Sequence, residues 1–379
     1  MIKVWNFDFN QVPGAANPDY DDFNLVQRAY NHNIDLMVSM ERRGFEGIFF
    51  SEHHFIASMS PCPNLLIAAV APQTKTLKLG VMGNVLPFHQ PWRIAEELHM
   101  LDYLTEGRLE IGVAPGVPPE FIFLNFKMED IRPMYKEILD FIDMAADHRD
   151  VTLKGKFFDL EAIPSMPRPR KEARRRNWMT VYSESSCREA ARRNYKVCTG
   201  YQSCESAALA FDGYREEAAN LGRDVGPDDI GLRRQVLVWD TDSEAEAVNT
   251  EMQASAVARL EDIFRAVGER LAKAGGGPSE GVKQSGIIDA AVVPNAEDAN
   301  KPKSKSIAPS LVSADEQIFG SPKTVADKII DQCRRIGAGN LMAYHVPTLS
   351  EAQLAHHYDL WEKVIPILAK ADVFAKEPA

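Results

Sequence analysis

Two adjacent histidines beside a carboxylate are the residues of this sequence best suited to proton chemistry. The run Ser51-Glu52-His53-His54-Phe55 directly follows an apolar segment that predicts a strand. Histidine exchanges protons near neutral pH, and a neighbouring carboxylate can fix which ring nitrogen carries the proton. A structural role, in which one ring packs and the other caps a helix, is the alternative. The spacing His-Glu-x-x-His is missing, so we expect no metal site.

Two segments with small residues could admit a flat ligand. Met82-Gly83-Asn84 lies near the end of one predicted strand, and Ala114, followed by a proline and a glycine, ends the next. Glycine in a strand permits the close approach of a ligand or of another backbone. Ordinary strand ends and turns use the same residue types, and for either segment taken alone that is the more common explanation.

A group of hydroxyls precedes a short predicted helix. Ser183, Ser185 and Ser186 are followed closely by the basic residue Arg188. Hydroxyls and unpaired backbone N–H groups at a helix N-terminus bind anions, so a phosphate would suit this position. The alternative is a serine that only caps its own helix. Glu184 would oppose an anion unless its side chain points away.

Apolar runs alternate with segments of helical periodicity along the whole chain. Strands are predicted at residues 2–9, 47–50, 77–86, 108–113, 178–182, 195–199, 230–239 and 340–345. Such alternation is typical of parallel strands with crossover helices, and eight units fit an α/β fold of the (β/α)8 TIM-barrel type with insertions. A doubly wound sheet is the alternative, but no Gly-x-Gly-x-x-Gly follows the first strand. In a barrel, catalytic residues lie at the carboxyl ends of the strands, where the three motifs fall.

Helices and one long insertion complete the predicted organisation. Helices are expected at residues 31–43, 65–72, 92–104, 131–146, 187–193, 207–221, 243–272, 322–336 and 353–369. Residues 155–170 carry three prolines and form an excursion before the fifth strand. We expect one domain over residues 1–379. Its insertion at about 274–315 is either a lid over the barrel mouth or a surface loop.

Composition and charge exclude several classes of protein. The 379 residues are 45% hydrophobic and 26% charged, as in ordinary globular proteins. Lys and Arg number 43 against 54 Asp and Glu, a net charge of −11, so we expect no nucleic-acid partner. No apolar run of about 18 residues or signal peptide is recognisable, so no membrane association is expected. Five cysteines without Cys-x-x-Cys spacing predict reduced thiols and a cytoplasmic protein.

Three segments together resemble the bacterial luciferase-like flavin monooxygenases. They are GFEGIFFSEHHF, LKLGVMGNVLPFHQPWRIAEELHMLDYLTEGRLEIGVAPG and FGSPKTVADKIIDQCRRIGAGNLM. Their order and spacing extend over nearly the whole chain, and the middle segment is the most specific of the three. The resemblance implies a TIM barrel that binds reduced FMN and reacts it with O2.

The resemblance also implies roles for individual residues. His53 resembles the family's catalytic histidine, with His54 in support. Met82-Gly83 is similar to the position where the family often has a non-prolyl cis peptide against the flavin ring. Pro115 stands where luciferase itself has an arginine that holds the phosphate. The cofactor-binding residues implied by the resemblance are Met82, Gly83, Asn84, Ala114, Ser183, Ser185 and Ser186.

By the same resemblance we expect a two-component monooxygenase. A separate flavin reductase would supply reduced FMN, the substrate would be a small and apolar organic molecule, and the protein would form a homodimer. Two alternatives stay open. One is a deazaflavin-dependent hydride-transfer oxidoreductase on the same barrel, and the other is a flavin-binding barrel without catalytic activity.

Overall fold

Eight parallel strands close into a barrel in the computed structural model, which describes residues 1–14, 18–55, 58–170, 177–253, 313–345 and 348–374. In chain order the strands of the described residues are β1 (Lys3–Asp8), β2 (Gly47–Phe50), β3 (Lys78–Val85), β4 (Leu109–Ala114), β5 (Asp150–Lys154), β6 (Asp159–Pro164), β7 (Asn177–Thr180), β8 (Lys196–Thr199), β9 (Ile230–Val238), β10 (Gln317–Gly320) and β11 (Asn340–Tyr344). The barrel runs β1-β2-β3-β4-β7-β8-β9-β11 and closes from β11 to β1, every pair being parallel. The predicted barrel and its eight strands are confirmed.

Helices connect these strands. They are α1 (Phe23–Ser39), α2 (Pro63–Val70), α3 (Pro91–Leu104), α4 (Pro118–Phe123), α5 (Met128–Asp147), α6 (Glu184–Arg193), α7 (Cys204–Asn220), α8 (described over 242–253), α9 (Pro322–Ile336) and α10 (Glu351–Lys370). The prediction for α1 was wrong at both ends. The helix begins at Phe23, because the Asp22 side chain accepts hydrogen bonds from the amides of Asn24 and Leu25 and so caps it.

Three elements lie outside the predicted alternation. The proline-containing excursion includes β6, which pairs in an antiparallel hairpin with β5, the strand directly before the excursion. The strand β10 pairs in parallel with the C-terminal half of β9. The short helix α4 follows β4 directly and was not predicted. Residues 254–272 of the long predicted helix and 274–312 of the predicted insertion lie outside the described residues.

Aromatic side chains fill the interior of the barrel. The Trp5 ring lies 4.8 Å from Phe49 and 6.3 Å from Trp178, measured between centroids. Both indole N–H groups are satisfied, since Trp5 Nε1 donates to Asn340 Oδ1 at 3.0 Å and Trp178 Nε1 donates to Glu110 Oε2 at 2.6 Å. This packing closes the interior below the carboxyl ends of the strands. A larger apolar core lies between the strands and the surrounding helices.

No helix of the described ranges combines the length and apolar character that a membrane span needs. The thiols of all five cysteines are free, and only Cys62 is exposed.

Candidate active site

A cavity of about 350 Å3 opens at the carboxyl end of the barrel. Most of the barrel strands, or the loops that directly follow them, contribute to its wall. Examples are Phe7 of β1, Met82 of β3, Ala114 of β4, Thr180 of β7, Cys198 of β8 and Arg233 of β9. A concave site of this size, with aromatic and polar residues in its wall, suits a small organic ligand or cofactor.

His53 forms a hydrogen-bonded pair with Glu120 in this cavity. His53 Nδ1 lies 2.8 Å from Glu120 Oε1, and the same oxygen accepts a hydrogen bond from the His54 amide at 3.1 Å. Because an ionised carboxylate only accepts hydrogen bonds, Nδ1 carries the proton and Nε2 is the nitrogen that can take or give one. The Phe9 ring stacks on the imidazole at 5.7 Å and fixes its plane.

Glu120 was not predicted as a residue of the site from the sequence. The residue lies 67 positions from His53 and is buried on α4, so only the fold brings the two together. One local signal was present, because two prolines precede this glutamate directly. Proline in the first turn with an acidic residue beside it predicts a helix N-terminus.

The second histidine of the motif contacts a different carboxylate. His54 Nε2 lies 3.0 Å from Glu52 Oε1, and His89 Nε2 lies 3.1 Å from the same oxygen. The Val85 amide donates to Glu52 Oε2 at 2.8 Å. His54 does not line the cavity, and its ring makes an edge-to-face contact with the Phe88 ring. The two adjacent histidines therefore serve different carboxylates.

The buried carboxylate of Glu52 pairs with the partly exposed imidazole of His89. Burial raises the pKa of Glu52, but hydrogen bonds from His54 and His89, the charge of His89 and the Val85 amide outweigh it and hold the pKa below its ordinary value. Burial lowers the pKa of His89, but the hydrogen bond and charge of Glu52 outweigh burial and raise it. The pair ties the loop after β2, where Glu52 lines the cavity, to the segment that follows β3.

The segment 82–84 of β3 is divided between the cavity and the wall behind it. The peptide bond between Met82 and Gly83 is cis, and both residues line the cavity. A Cβ at Gly83 would come within 2.5 Å of the backbone of β4, so a larger residue would displace that strand. The Asn84 side chain instead donates to the Gly112 carbonyl at 2.9 Å and accepts from Asn64 Nδ2 at 3.1 Å. Asn84 thus holds β3 to β4 and α2.

Ser183 and Ser186 form a capping box at the start of α6. The Ser183 hydroxyl accepts from the Ser186 amide, and the Oγ atoms of Ser183 and Ser186 lie 3.1 Å apart. Ser185 Oγ lies 3.0 Å from Ser183 Oγ. The three serines do not line the cavity, whereas Tyr182, the residue directly before them, does. The structure therefore brings the hydroxyls together beside the cavity.

The basic residues of α6 are engaged elsewhere. Arg188 pairs with Glu184 at 2.8 Å and with Glu216 at 2.5 Å, and Arg192 pairs with Glu217 at 2.8 Å. Glu184 is thereby held toward Arg188. An anion at this cap would be held by the hydroxyls and by the backbone N–H groups of the helix N-terminus.

Arg233 lines the wall opposite β3. Its guanidinium carbon lies 3.9 Å from the centroid of the Tyr201 ring and 5.2 Å from that of Phe7. Among the described residues, the carboxylate oxygen nearest to the Arg233 guanidinium is Glu316 Oε1. It lies 3.9 Å from Nη2, beyond hydrogen-bond distance. Burial raises the pKa of the neighbouring Cys198 thiol to about 12, so this side chain stays neutral.

Among the described residues, twelve buried side-chain polar atoms have no hydrogen-bond partner, and five of them belong to residues of this cavity wall. The five are Ser51 Oγ, Glu120 Oε2, Thr180 Oγ1, and Nε and Nη2 of Arg233. Each such atom costs about 1–3 kcal/mol if nothing pairs with it. A ligand with several polar atoms in this cavity would supply partners for them. No set of three or more His, Cys, Asp or Glu in the described ranges is arranged to hold a metal ion.

A closed parallel barrel with a ligand-sized cavity at the carboxyl ends of its strands is the architecture of TIM-barrel enzymes. The chain belongs to the luciferase-like monooxygenase family, whose model matches residues 7–339.

One named relative and two solved structures show what the chain is similar to. It is 30% identical over 137 residues to 2,5-diketocamphane 1,2-monooxygenase 2 from Pseudomonas putida, which is 35% of this chain and 38% of that protein. The chain spans about half or less of the length of the curated relatives it matches.

The two structures share the fold over nearly the whole chain. One is the FMN complex of the oxygenating constituent of 3,6-diketocamphane monooxygenase, a type II Baeyer-Villiger monooxygenase from Pseudomonas putida. It has a TM-score of 0.71 at 20% identity and covers 96% of each chain. The other is an F420-dependent secondary alcohol dehydrogenase with an F420-acetone adduct. It has a TM-score of 0.67 at 13% identity and covers 97% of this chain and 99% of that one.

Proposed function

We propose that the protein is a flavin-dependent monooxygenase that uses reduced FMN and O2 to oxygenate a small organic substrate. Membership of the luciferase-like monooxygenase family supports the reaction class. The observation that carries the proposal is the group of unpartnered buried polar atoms around an aromatic-lined cavity that also contains the His53–Glu120 pair. Such a wall suits a ring system with several nitrogen and oxygen atoms.

The residues around the cavity fit FMN. Met82, Gly83 and Ala114 present small or flexible side chains on one wall, against which a flat ring can pack. Ser183, Ser185 and Ser186, with the N-terminus of α6, would hold the phosphate. Asn84 would act indirectly, by holding the backbone of β3 in place behind the ring.

Reduced FMN, when bound, supplies the electrons for O2 activation and for transfer of one oxygen atom to the substrate. His53 would move a proton at Nε2, since Glu120 occupies Nδ1. Glu120 would fix the orientation of the imidazole and stabilise its protonated form. His54 would support the site through Glu52, which holds the Val85 amide at the end of β3.

Aromatic side chains would exclude water from the reaction. Phe7 lines the cavity, and its ring lies edge-on to Phe9 at 5.1 Å, which in turn stacks on His53. Tyr201 covers the guanidinium of Arg233 on the far side. Water would favour release of the reduced oxygen as H2O2 without oxygenation of the substrate, so a dry wall on this side would favour oxygenation.

The resemblance also supports proposals about the whole protein. We propose a separate flavin reductase as the source of reduced FMN, a homodimer, and one domain over residues 1–379 with an insertion at about 274–315. Free thiols at all five cysteines are consistent with a reducing compartment such as the cytoplasm.

The cofactor is tested by titration with oxidised FMN and by anaerobic titration with reduced FMN and with reduced F420. Turnover assays then test the reaction. We expect reduced FMN to bind more tightly than oxidised FMN and than F420. With a generic flavin reductase, 18O from O2 should appear in the product by mass spectrometry. Preference for F420 with hydride transfer would support the deazaflavin alternative, and FMN binding without oxygen incorporation would support a non-catalytic barrel.

A further inference from the structure

Arg233 is a buried cation with unused hydrogen-bond donors. The residue is 8% exposed, and its Nε and Nη2 have no hydrogen-bond partner in the part of the chain that the structure describes. A guanidinium stays charged at any physiological pH, so burying it without hydrogen bonds is unfavourable. Because Arg233 lies in the cavity wall, a ligand in the cavity can supply the missing acceptors.

Among the described residues, the positive charges of Arg233 and its neighbour Arg234 are not balanced by their ion pairs. Arg233 and the fully buried Arg234 share the carboxylate of Glu316, with Arg234 Nη1 at 3.1 Å and Arg233 Nη2 at 3.9 Å. Glu316 also accepts hydrogen bonds from the Tyr201 amide at 2.6 Å and from the Tyr344 hydroxyl at 3.3 Å. Two cations and one anion leave an excess positive charge in this cluster, on the β9 side of the cavity, and this favours an anionic ligand there. The carboxylates of the wall, Glu52 and Glu120, lie in segments that follow β2 and β4, the strands on either side of β3.

Aromatic rings shape the space next to the guanidinium. Its central carbon lies 3.9 Å from the centroid of Tyr201, 5.2 Å from that of Phe7 and 5.4 Å from that of Tyr344. Ring faces attract a guanidinium, but they do not accept the in-plane hydrogen bonds that a carboxylate takes in pairs. A ligand with an anionic head and an apolar or aromatic body matches both features.

Arg233 also lies across the barrel from the wall proposed to hold the flavin. Three strands separate β9 from β3 in either direction, β4, β7 and β8 on one side and β2, β1 and β11 on the other. A ring packed against β3 and β4 leaves the remaining space of the cavity on the side of β9. That remaining space is where the substrate must lie.

We infer that Arg233 anchors an acidic group of the substrate, and that the enzyme therefore oxygenates organic carboxylates with an apolar or aromatic body. This inference rests on the proposed function, because it names the substrate class of the same cavity. A diketocamphane, after which one relative is named, is an uncharged diketone. A preference for acids would distinguish this chain from that relative.

Calorimetric titration of the flavin-free protein with benzoate and with benzamide tests the inference. The two probes share their size and their ring, but only benzoate is charged. We expect benzoate to bind the wild type roughly tenfold more tightly or better, as charge-assisted bidentate hydrogen bonds imply. Arg233→Gln should remove this preference and Arg233→Lys should keep part of it. Arg132→Gln, which removes another arginine of the cavity wall, should leave it unchanged.

Equal binding of the two probes, no binding of benzoate to the wild type, or a benzoate preference that survives Arg233→Gln would overturn the inference. It would also be overturned if Arg233→Gln weakened the binding of reduced FMN and left the benzoate preference intact, because the guanidinium would then serve the flavin. If Arg233→Gln does not fold, the comparison of the two probes on the wild type and Arg233→Lys decides. A benzoate preference in a protein that binds no flavin would contradict the proposed function and leave the acid site standing.

Discussion

At the scale of single residues, the proton chemistry of the cavity depends on the hydrogen bond between His53 Nδ1 and Glu120 Oε1. The bond places the proton of the neutral imidazole on Nδ1 and leaves Nε2 for the reacting molecules. His54, one residue further, contacts Glu52 and does not itself line the cavity. The two histidines therefore have different expected effects when they are replaced.

Replacement of His53 should impair chemistry much more than binding. We expect His53→Asn to slow oxygenation by about 10²–10⁴-fold, the contribution typical of a positioned acid or base. Reduced FMN affinity and melting temperature should change little, and Glu120→Gln, which keeps an acceptor oxygen near Nδ1, should cause a smaller loss. Single-turnover oxygenation, flavin titration and thermal melting of the same preparations measure all three. A stable His53→Asn variant at full rate would remove His53 from catalysis, and joint loss of stability and flavin binding would mean a structural histidine.

The Glu52–His89 pair should make stability depend on pH. The pKa of His89 is raised from 6.5, so its contribution is complete below that pH and disappears as the pH rises through the raised pKa. The pKa of Glu52 is lowered from 4.5, so its contribution is complete above that pH and disappears as the pH falls through the lowered pKa. The pair stabilises the fold most between these two values.

Melting curves of the wild type and of His89→Gln check this dependence. The wild type should exceed the variant in melting temperature by more at about pH 5.5 than at about pH 9, because the contribution of His89 is lost as the pH rises through its raised pKa. A difference that is constant over this range would mean that the pair is not ionised in the folded protein.

Some residues of the site could be predicted from the sequence, and others could not. His53, Met82, Gly83 and Ala114 lie in continuous motifs at strand ends, and the structure brings them to one cavity. The contact with Glu120 crosses 67 positions of sequence and depends on the placement of α4. Arg233 carried a weaker signal, because Arg234 and Gln235 follow it directly in the strand. Successive side chains face the barrel interior and the helices in turn, and nothing local decides which of the two arginines faces the interior.

At the scale of elements, the start of α6 combines a structural and a proposed binding role. The Ser183 hydroxyl already accepts the Ser186 amide, as in an ordinary capping box. A phosphate would either replace the Ser183 hydroxyl as the acceptor of the Ser186 amide, or accept additional hydrogen bonds from the start of α6. The two roles can be separated because α7 begins with the same kind of cap, in which Ser203 accepts from the Ser206 amide.

Removal of both serines of the α6 cap should weaken flavin binding. We expect Ser183→Ala with Ser186→Ala to reduce the affinity for reduced FMN by about 1–3 kcal/mol through lost hydrogen bonds to a charged group. The matched control, Ser203→Ala, should lower stability by a similar cap contribution of about 0.5–2 kcal/mol and leave FMN binding unchanged. Anaerobic titrations and thermal melts compare them. An unchanged FMN affinity in the double variant would show that the phosphate does not bind at the start of α6. A weaker FMN affinity in Ser203→Ala would indicate that it binds at the start of α7.

The strands were more predictable than the helix ends and the additions. Barrel strands are buried on both faces, so several are short and largely apolar runs, as at Gly47–Phe50. The helix α1 starts in a polar segment whose cap, Asp22, is separated from the apolar positions that reveal the helix. The hairpin β5–β6 is mostly exposed and has no apolar run to mark it.

At the scale of the whole molecule, the helices α2 and α3 present apolar side chains to solvent. Leu65 of α2 is 70% exposed, and Met100 and Leu104 of α3 are 54% and 55% exposed. The two helices pack beside each other. Exposed apolar side chains on neighbouring elements are typical of an interaction surface, and this face supports the proposed homodimer.

A charge on this face should separate the subunits. We expect the wild type to have the mass of a dimer by light scattering at micromolar concentration, and Met100→Glu to shift the mass toward that of the monomer. The control Leu209→Glu changes a residue that is 72% exposed on α7 and should leave the dimer intact. A monomeric wild type would contradict the homodimer, and a dimeric Met100→Glu would place the interface on another face.

The proposal that reduced FMN occupies the cavity at the barrel mouth is tested most directly by anaerobic titration of a variant in which that cavity is filled. Ala114 lies in the cavity wall, so Ala114→Phe places a ring where the flavin would pack. Leu209→Phe adds the same ring to an exposed position of α7. We predict saturable binding of reduced FMN by the wild type and by Leu209→Phe, and no saturable binding in the same range by a folded Ala114→Phe. Equal affinities in all three proteins would contradict the placement of the flavin in this cavity.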